Sequence, residues 1–440
     1  MTDTTITRIQ ARRVWDSRGN PTVEVDVITA SGRIGRAIAP AGASRGTREA
    51  SDLRDGGAKL GGMDVTAAVA NVNTLISPAL LGMDAGDQAA VDAALIGLDG
   101  TPLKSRLGGN ATVATSLAVL HAGAAARRMP LWQHVADTSG QTPSLPLPEI
   151  QIFGGGAHAG RRVDVQDFMV MVPGASNMAE VMEVTSEIYR AAGLIMKARG
   201  HSVGVADEGG WWPVFDSNEQ ALDTLMQAIE TTGEKPGDRV VISLDIAASE
   251  FGRDGRYRLA LENRELDRDQ MIDLLGKWLD TYPIASIEDP LAEDDPDGMI
   301  EFTKAYGDRV QIIGDDYLVT NARLVNAASR AGACNAVLIK VNQVGTITES
   351  ILCMAAAQAA GYRAIVSARS GETEDTSISH LSVGLNAGQL KVGSITRSER
   401  LAKWNECLRI AEALPADAFV GGAPLAHTWW GRARGVPSST

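Results

Sequence analysis

Cysteine is scarce: Cys334, Cys353 and Cys407 are the only three in 440 residues, far apart and without CxxC spacing. That excludes a zinc knuckle or a disulfide framework and suits a reducing, cytoplasmic compartment. Positive charge is also short, with 41 Lys and Arg against 54 Asp and Glu and a net charge of −13. A nucleic-acid partner is therefore not expected, because phosphate backbones demand clustered cations. Long apolar runs are missing too. No stretch approaches the roughly 18 residues of a membrane span, and the N-terminal MTDTTITRIQ has no apolar signal core. No membrane partner is expected. The hydrophobic fraction of 44% and charged fraction of 22% are ordinary for a globular chain, and the length asks for two or three domains.

What the C-terminal half does have is a beat of apolar runs, each ending on a charged or hydroxyl residue: Asp245, Glu288, Asp315, Lys340, Ser367 and Lys391. The intervals are 43, 27, 25, 27 and 24 residues. A period near 25 fits one strand, one turn, one helix and one return loop, and continuous β-rich runs such as VVISL read as strands buried on both faces. This is the rhythm of a (β/α) barrel, whose C-terminal strand ends face the active site. The long first interval contains EFGRDGRYRLAL, read as an inserted hairpin.

Ahead of the barrel, residues 6–15, 22–29 and 33–39 read as a three-stranded antiparallel meander, with Val23, Val25 and Val27 alternating against Glu24 and Asp26 and a turn at Ser31-Gly32. From 64 to about 136 the spacing turns helical, as in VATSLAVLHAGAAARR. The proline-rich TSGQTPSLPLPE, 138–149, is the best boundary. The expected architecture is an α/β chain: an α+β capping domain over 1–138, then a modified (β/α)8 TIM-like barrel over 139–440. The final GVPSST reads as a loose tail.

Asp245, Glu288 and Asp315 each follow an expected strand directly, which would gather three carboxylates at one rim. They repel one another unless a cation neutralises them, and hard oxygen ligands favour Mg2+, with Mn2+ as a substitute. The same spacing also allows a structural ion-pair network with Lys340 and Lys391.

The segments SRGNPTVEVDV (17–27), ADEGG (206–210), DIAASEF (245–251), SIEDP (286–290), GDDYLVTN (314–321), LIKVNQVGTITESI (338–351), RSGETEDT (369–376) and RSERLAKWNECLRI (397–410) resemble the enolase family, in the family's order and across nearly the whole chain. The resemblance implies two Mg2+ ions per site, the first on Asp245, Glu288 and Asp315 and the second helped by Ser44 of the lid loop PAGASRG, 40–46. It implies Lys340 as the base that removes a proton beside a carboxylate, with Glu208 as the acid that protonates the departing hydroxyl. A lysine base working with divalent cations is the established pattern of that superfamily. The metal-rich surroundings would push the Lys340 amine downward in pKa. His158, Gln166, Arg369, Ser370 and Lys391 match the family's substrate contacts. A homodimer or larger assembly is implied as well.

Departures from the family pattern cluster at the site. Ala368 stands where the family has a histidine, and Asp167, at a catalytic position, replaces a glutamate. Gly154 and Ala157 replace Asn and Ser before His158, while Ala41 replaces Ser and Arg45 replaces Thr in the first lid. The implied activity is lyase chemistry on a small phosphorylated hydroxy acid: dehydration of 2-phosphoglycerate, or of a close analogue, to phosphoenolpyruvate, as in glycolysis. An alternative is an enolase-like enzyme of phosphonate metabolism that forms carboxyphosphonoenolpyruvate, with Arg45 meeting the extra carboxylate. A third, of another class, is a catalytically inactive binding protein.

Overall fold

The computed structural model describes residues 3–201 and 204–437. The expected loose tail falls partly on 438–440, outside the described residues. Strands β1 (Ile6–Trp15), β2 (Pro21–Thr29) and β3 (Ile34–Ile38) form the antiparallel meander in that order. Gly32 supplies the turn at φ +76°, its N–H donating to Thr29 O at 2.9 Å. The alternation in β2 does not leave one face in water. Val23, Val25 and Val27 are fully buried, yet Glu24 and Asp26 are buried too. Arg12 from β1 donates to both carboxylates, and Arg36 Nε from β3 reaches Asp26 Oδ1 at 2.7 Å. The helix Gly109–Ala126 lies on the valine face. A Cβ on Gly35 would stand 2.2 Å from Ala118 O, so the helix meets the sheet at backbone distance.

A closed eight-strand barrel follows. Its first three strands are β4 (Leu147–Gly154), β5 (Asp167–Met171) and β6 (Val241–Asp245). The 43-residue interval then holds a small sheet of β7 (Gly252–Arg253), β8 (Arg256–Leu259) and β9 (Arg264–Asp267), one strand more than the expected hairpin. Asp254 and Gly255, both at positive φ, make its two-residue turn. The barrel continues through β10 (Ile284–Glu288), β11 (Gln311–Gly314), β12 (Ala336–Ile339), β13 (Arg363–Ser367) and β14 (Gly388–Ser394), which closes on β4.

The modification lies in β5, which runs antiparallel to both β4 and β6, whereas every other neighbouring pair in the barrel is parallel. A reversed strand presents its first residue, not its last, at the rim where its neighbours end. Asp167 therefore pairs in register with Asp245. Among the described residues, no helix is long and apolar enough to cross a membrane. All three cysteines are buried and unpaired.

Candidate active site

Five residues of the beat reach the rim as expected. Asp245 and Glu288 end β6 and β10, Asp315 and Lys340 directly follow β11 and β12, and Ser367 ends β13. Lys391 is different: it lies inside β14, in register with Ser367, and a register shift against β4 follows it between Lys391 and Gly393. All of these side chains are buried. In the ring of eight strands, β12 and β5 stand four places apart, so Lys340 and Asp167 face each other across the barrel mouth.

The charges sort into two ammonium-centred groups. Lys391 Nζ lies 2.7 Å from Asp245 Oδ2, 2.7 Å from Glu288 Oε2 and 3.6 Å from Asp167 Oδ2. Lys340 Nζ lies 2.5 Å from Asp315 Oδ2, whose other oxygen accepts from Gln343 Nε2 at 2.8 Å. Burial lowers the pKa of both lysines, but the carboxylates outweigh it and the net shift is upward. For Lys340 the Asp315 charge outweighs burial and the neighbouring Arg369 and Lys391 cations. Burial, followed by the Asp245 charge, holds the Glu288 carboxyl well above its ordinary range.

Asp245, Glu288 and Asp315 do not form one tight carboxylate triplet: Lys391 bridges the first two and Lys340 takes the third. Among the described residues, the groups of potential ligands whose atoms lie within 4.8 Å of one another are Asp289, Asp315 and Asp316, and separately His158, Asp167 and Glu208. Among the described residues, buried Glu288 Oε1 and Gln166 Oε1 have no hydrogen-bond partner, while Gln166 Nε2 donates to Asp245 at 3.0 Å. Orphaned oxygens beside clustered carboxylates fit a hard divalent cation.

His158 joins the second acidic group to the lids. Its Nδ1 is 3.3 Å from Asp167 Oδ1, and its Nε2 is 3.1 Å from Ser370 Oγ and 3.7 Å from Glu208 Oε1. Burial lowers the imidazole pKa, but Glu208 and Asp167 together raise it to about 8. Burial raises the Asp167 carboxyl, and His158 with Lys391 and Gln151 overcomes that, bringing it to about 2. Glu208 is held by its backbone. Ser394 N–H donates to Glu208 O at 2.9 Å, and Tyr189 and Thr396 hydroxyls both donate to Gly209 O.

The 40–46 loop is docked on the barrel rim. Ala41 and Gly371 exchange backbone hydrogen bonds at 2.9 Å, Ala43 N–H donates to Ser370 Oγ at 3.2 Å, and Arg369 Nη2 donates to Ser44 O at 2.9 Å. Arg369 also grips Glu49 at 2.9 Å. Ser44, His158, Gln166, Asp167, Glu208, Asp245, Lys340, Arg369, Ser370 and Lys391 line one small cavity, with Ala368 in its wall. Arg45 does not line it; its guanidinium donates to Ala50 O at 2.8 Å and stands 3.9 Å from Glu49.

Sequence reasoning missed Glu49, which pairs with Arg369, and Glu149, which lies in register with Lys391 below the rim. Glu149 accepts from Ser243 at 3.0 Å and Gln389 at 2.8 Å, and burial raises its carboxyl to about 7. A charged residue inside LPLPEIQIF, an otherwise apolar strand pattern, was the available signal for it.

The barrel has one reversed strand and a mouth of lysines and carboxylates beneath the docked 40–46 loop. Residues 6–135 match the family model described as enolase, N-terminal domain, and residues 142–428 match enolase, C-terminal TIM barrel domain. The chain is 48% identical over 416 residues to Enolase 1 of Desulfitobacterium hafniense (strain Y51), covering 94% of this chain and 95% of that protein. The chain belongs to the enolase family and is an enolase-type hydro-lyase.

Proposed function

We propose that the chain dehydrates 2-phosphoglycerate to phosphoenolpyruvate in a Mg2+-dependent reaction, as a homodimer. The observation that carries this reading is that one cavity holds Lys340 on one wall and the Glu208–His158–Asp167 group on another. Asp245, Glu288 and Asp315 would hold the first metal ion, and Ser44 would help with the second. Bound cations would supply stabilisation of the negative charge that develops on the substrate carboxylate, typically a large share of the barrier reduction for such a step.

The residues of the chain do the rest. Lys340 accepts the C2 proton as the neutral amine, so its ammonium must first lose a proton to solvent and release Asp315 Oδ2. Glu208 delivers a proton to the C3 hydroxyl as it leaves. Arg369, Ser370 and His158 hold the phosphate end, Gln166 and Lys391 orient the carboxylate end, and the docked 40–46 loop excludes water. The assay is the ultraviolet absorbance of the enol product from 2-phosphoglycerate, with and without Mg2+. Absence of turnover in both conditions refutes the proposal. Ala368, a methyl in the cavity wall, favours a second reading with a bulkier phosphonate substrate, and turnover of a carboxyphosphono analogue in place of 2-phosphoglycerate would establish it.

A further inference from the structure

Gln151 is fully buried near the end of β4, and its amide spans two parts of the site. Its Nε2 donates to Asp167 Oδ1, and its Oε1 accepts the Gly210 N–H at 2.8 Å. A carboxylate only accepts and a backbone N–H only donates, so a side chain bridging them needs both functions, which a primary amide provides without adding charge. Asp167 Oδ1 is also the oxygen facing His158 Nδ1, and Gly210 lies two residues beyond Glu208. One side chain thus ties the Asp167–His158 pair to the loop that carries Glu208.

The surrounding glycines make room for this bridge. A Cβ at Gly210 would stand 2.4 Å from Gln151 Oε1 and 2.8 Å from Gly154 N. A Cβ at Gly154 would stand 3.1 Å from the same Oε1 and 2.8 Å from Ala206 Cβ. In the resemblance read from the sequence, Gly154 stands in place of an asparagine and Asp167 in place of a glutamate. The amide of Gln151 packs against Gly154 and donates to the Asp167 carboxyl.

We propose that Gln151 is a positioning residue that fixes the Asp167 carboxyl relative to the Glu208 loop, so that Gly154, Gln151 and Asp167 act as one coupled set. The inference rests on the proposed function's reading of Glu208 as the acid and its placement of Asp167 on the same cavity wall.

The test is a double-mutant cycle on the full-length enzyme. Gln151→Asn shortens the amide, Asp167→Glu lengthens the acid, and the pair together restores the reach. Each single change is expected to lower kcat about 10- to 100-fold with KM within about threefold, in line with the cost of misplacing a catalytic group by roughly 1 Å. The double variant is expected to exceed the product of the two single effects by at least tenfold. Strictly multiplicative effects, or losses confined to KM, overturn the proposal. Gln151→Met keeps the volume but loses both hydrogen bonds, so it guards against a folding defect; full kcat in this variant also overturns the proposal. Protection of the Gly210 amide from hydrogen exchange gives a readout independent of turnover. It should fall at least tenfold in Gln151→Met, and unchanged protection counts against the bridge even if the wild type fails to turn over 2-phosphoglycerate.

Discussion

Asp167 and Asp245 stand side by side across an antiparallel strand pair, although one begins its strand and the other ends it. The reversal of β5 brings a residue of the His158–Glu208 group within 3.6 Å of Lys391, the ammonium that Asp245 and Glu288 share. The two ionic groups therefore form one electrostatic unit, and the predictions below probe its parts separately.

Lys340 and Glu208 should divide the reaction between them. Lys340→Met should abolish both product formation and exchange of the C2 proton with solvent, a loss on the order of a thousandfold or more. Glu208→Gln should abolish product formation while C2 exchange persists. Parallel loss of exchange in both variants, measured by deuterium incorporation into recovered substrate, would show the roles to be misassigned.

Mg2+ should stabilise the folded chain through the carboxylate rim. At a hundredfold excess over Kd the gain is about 2.7 kcal/mol, read as a higher melting temperature. Glu288→Gln replaces the carboxyl group that carries the orphaned Oε1 and should remove most of that gain. An equal Mg2+ response in wild type and variant would place the ion elsewhere.

The His158–Asp167 pair sets a pH window for the metal-free protein. His158 rises from 6.5 to about 8 on folding, so its contribution is complete below pH 6.5 and is lost as pH climbs through 8. Asp167 falls from 3.8 to about 2, so its contribution is present above pH 3.8 and is lost as pH drops through 2. The pair should stabilise most between about pH 4 and 6.5, by something on the order of 2 kcal/mol. In His158→Gln, melting temperature plotted against pH should lose the decline between pH 6.5 and 8 that the wild type shows.

Gly35→Ala should destabilise the N-terminal region. The added Cβ meets Ala118 O and Ala122 N, both backbone atoms at 2.2 Å, so relief requires moving the helix off the sheet. A cost of about 1–3 kcal/mol is expected from overpacking of this kind. A melting temperature equal to that of wild type would mean the interface yields more easily than its geometry implies.

Much of the fold was legible in the chain itself. The meander followed from valines at period two and a Ser-Gly turn, and the barrel from apolar runs at a period near 25, because local periodicity reflects which faces are buried. The rim residues Asp245, Glu288, Asp315 and Lys340 could be named because a strand that ends on a charge in a parallel barrel delivers that charge to one face. Strand direction could not be read this way. Nothing in the composition of QDFMVM, 166–171, shows that β5 runs backwards, since a doubly buried strand has the same pattern in either direction.

Tertiary structure alone decided how the charges pair. The sequence placed three carboxylates and two lysines at one mouth, but which ammonium neutralises which carboxylate depends on distances of a few ångströms between residues more than twenty positions apart. Those distances set Asp315 against Lys340 and raise its pKa. They also join Gln151 to Asp167 and Gly210, and draw Glu49 onto Arg369. Burial and periodicity are written along the chain, whereas electrostatic pairing varies with separation in space and exists only once the barrel has closed.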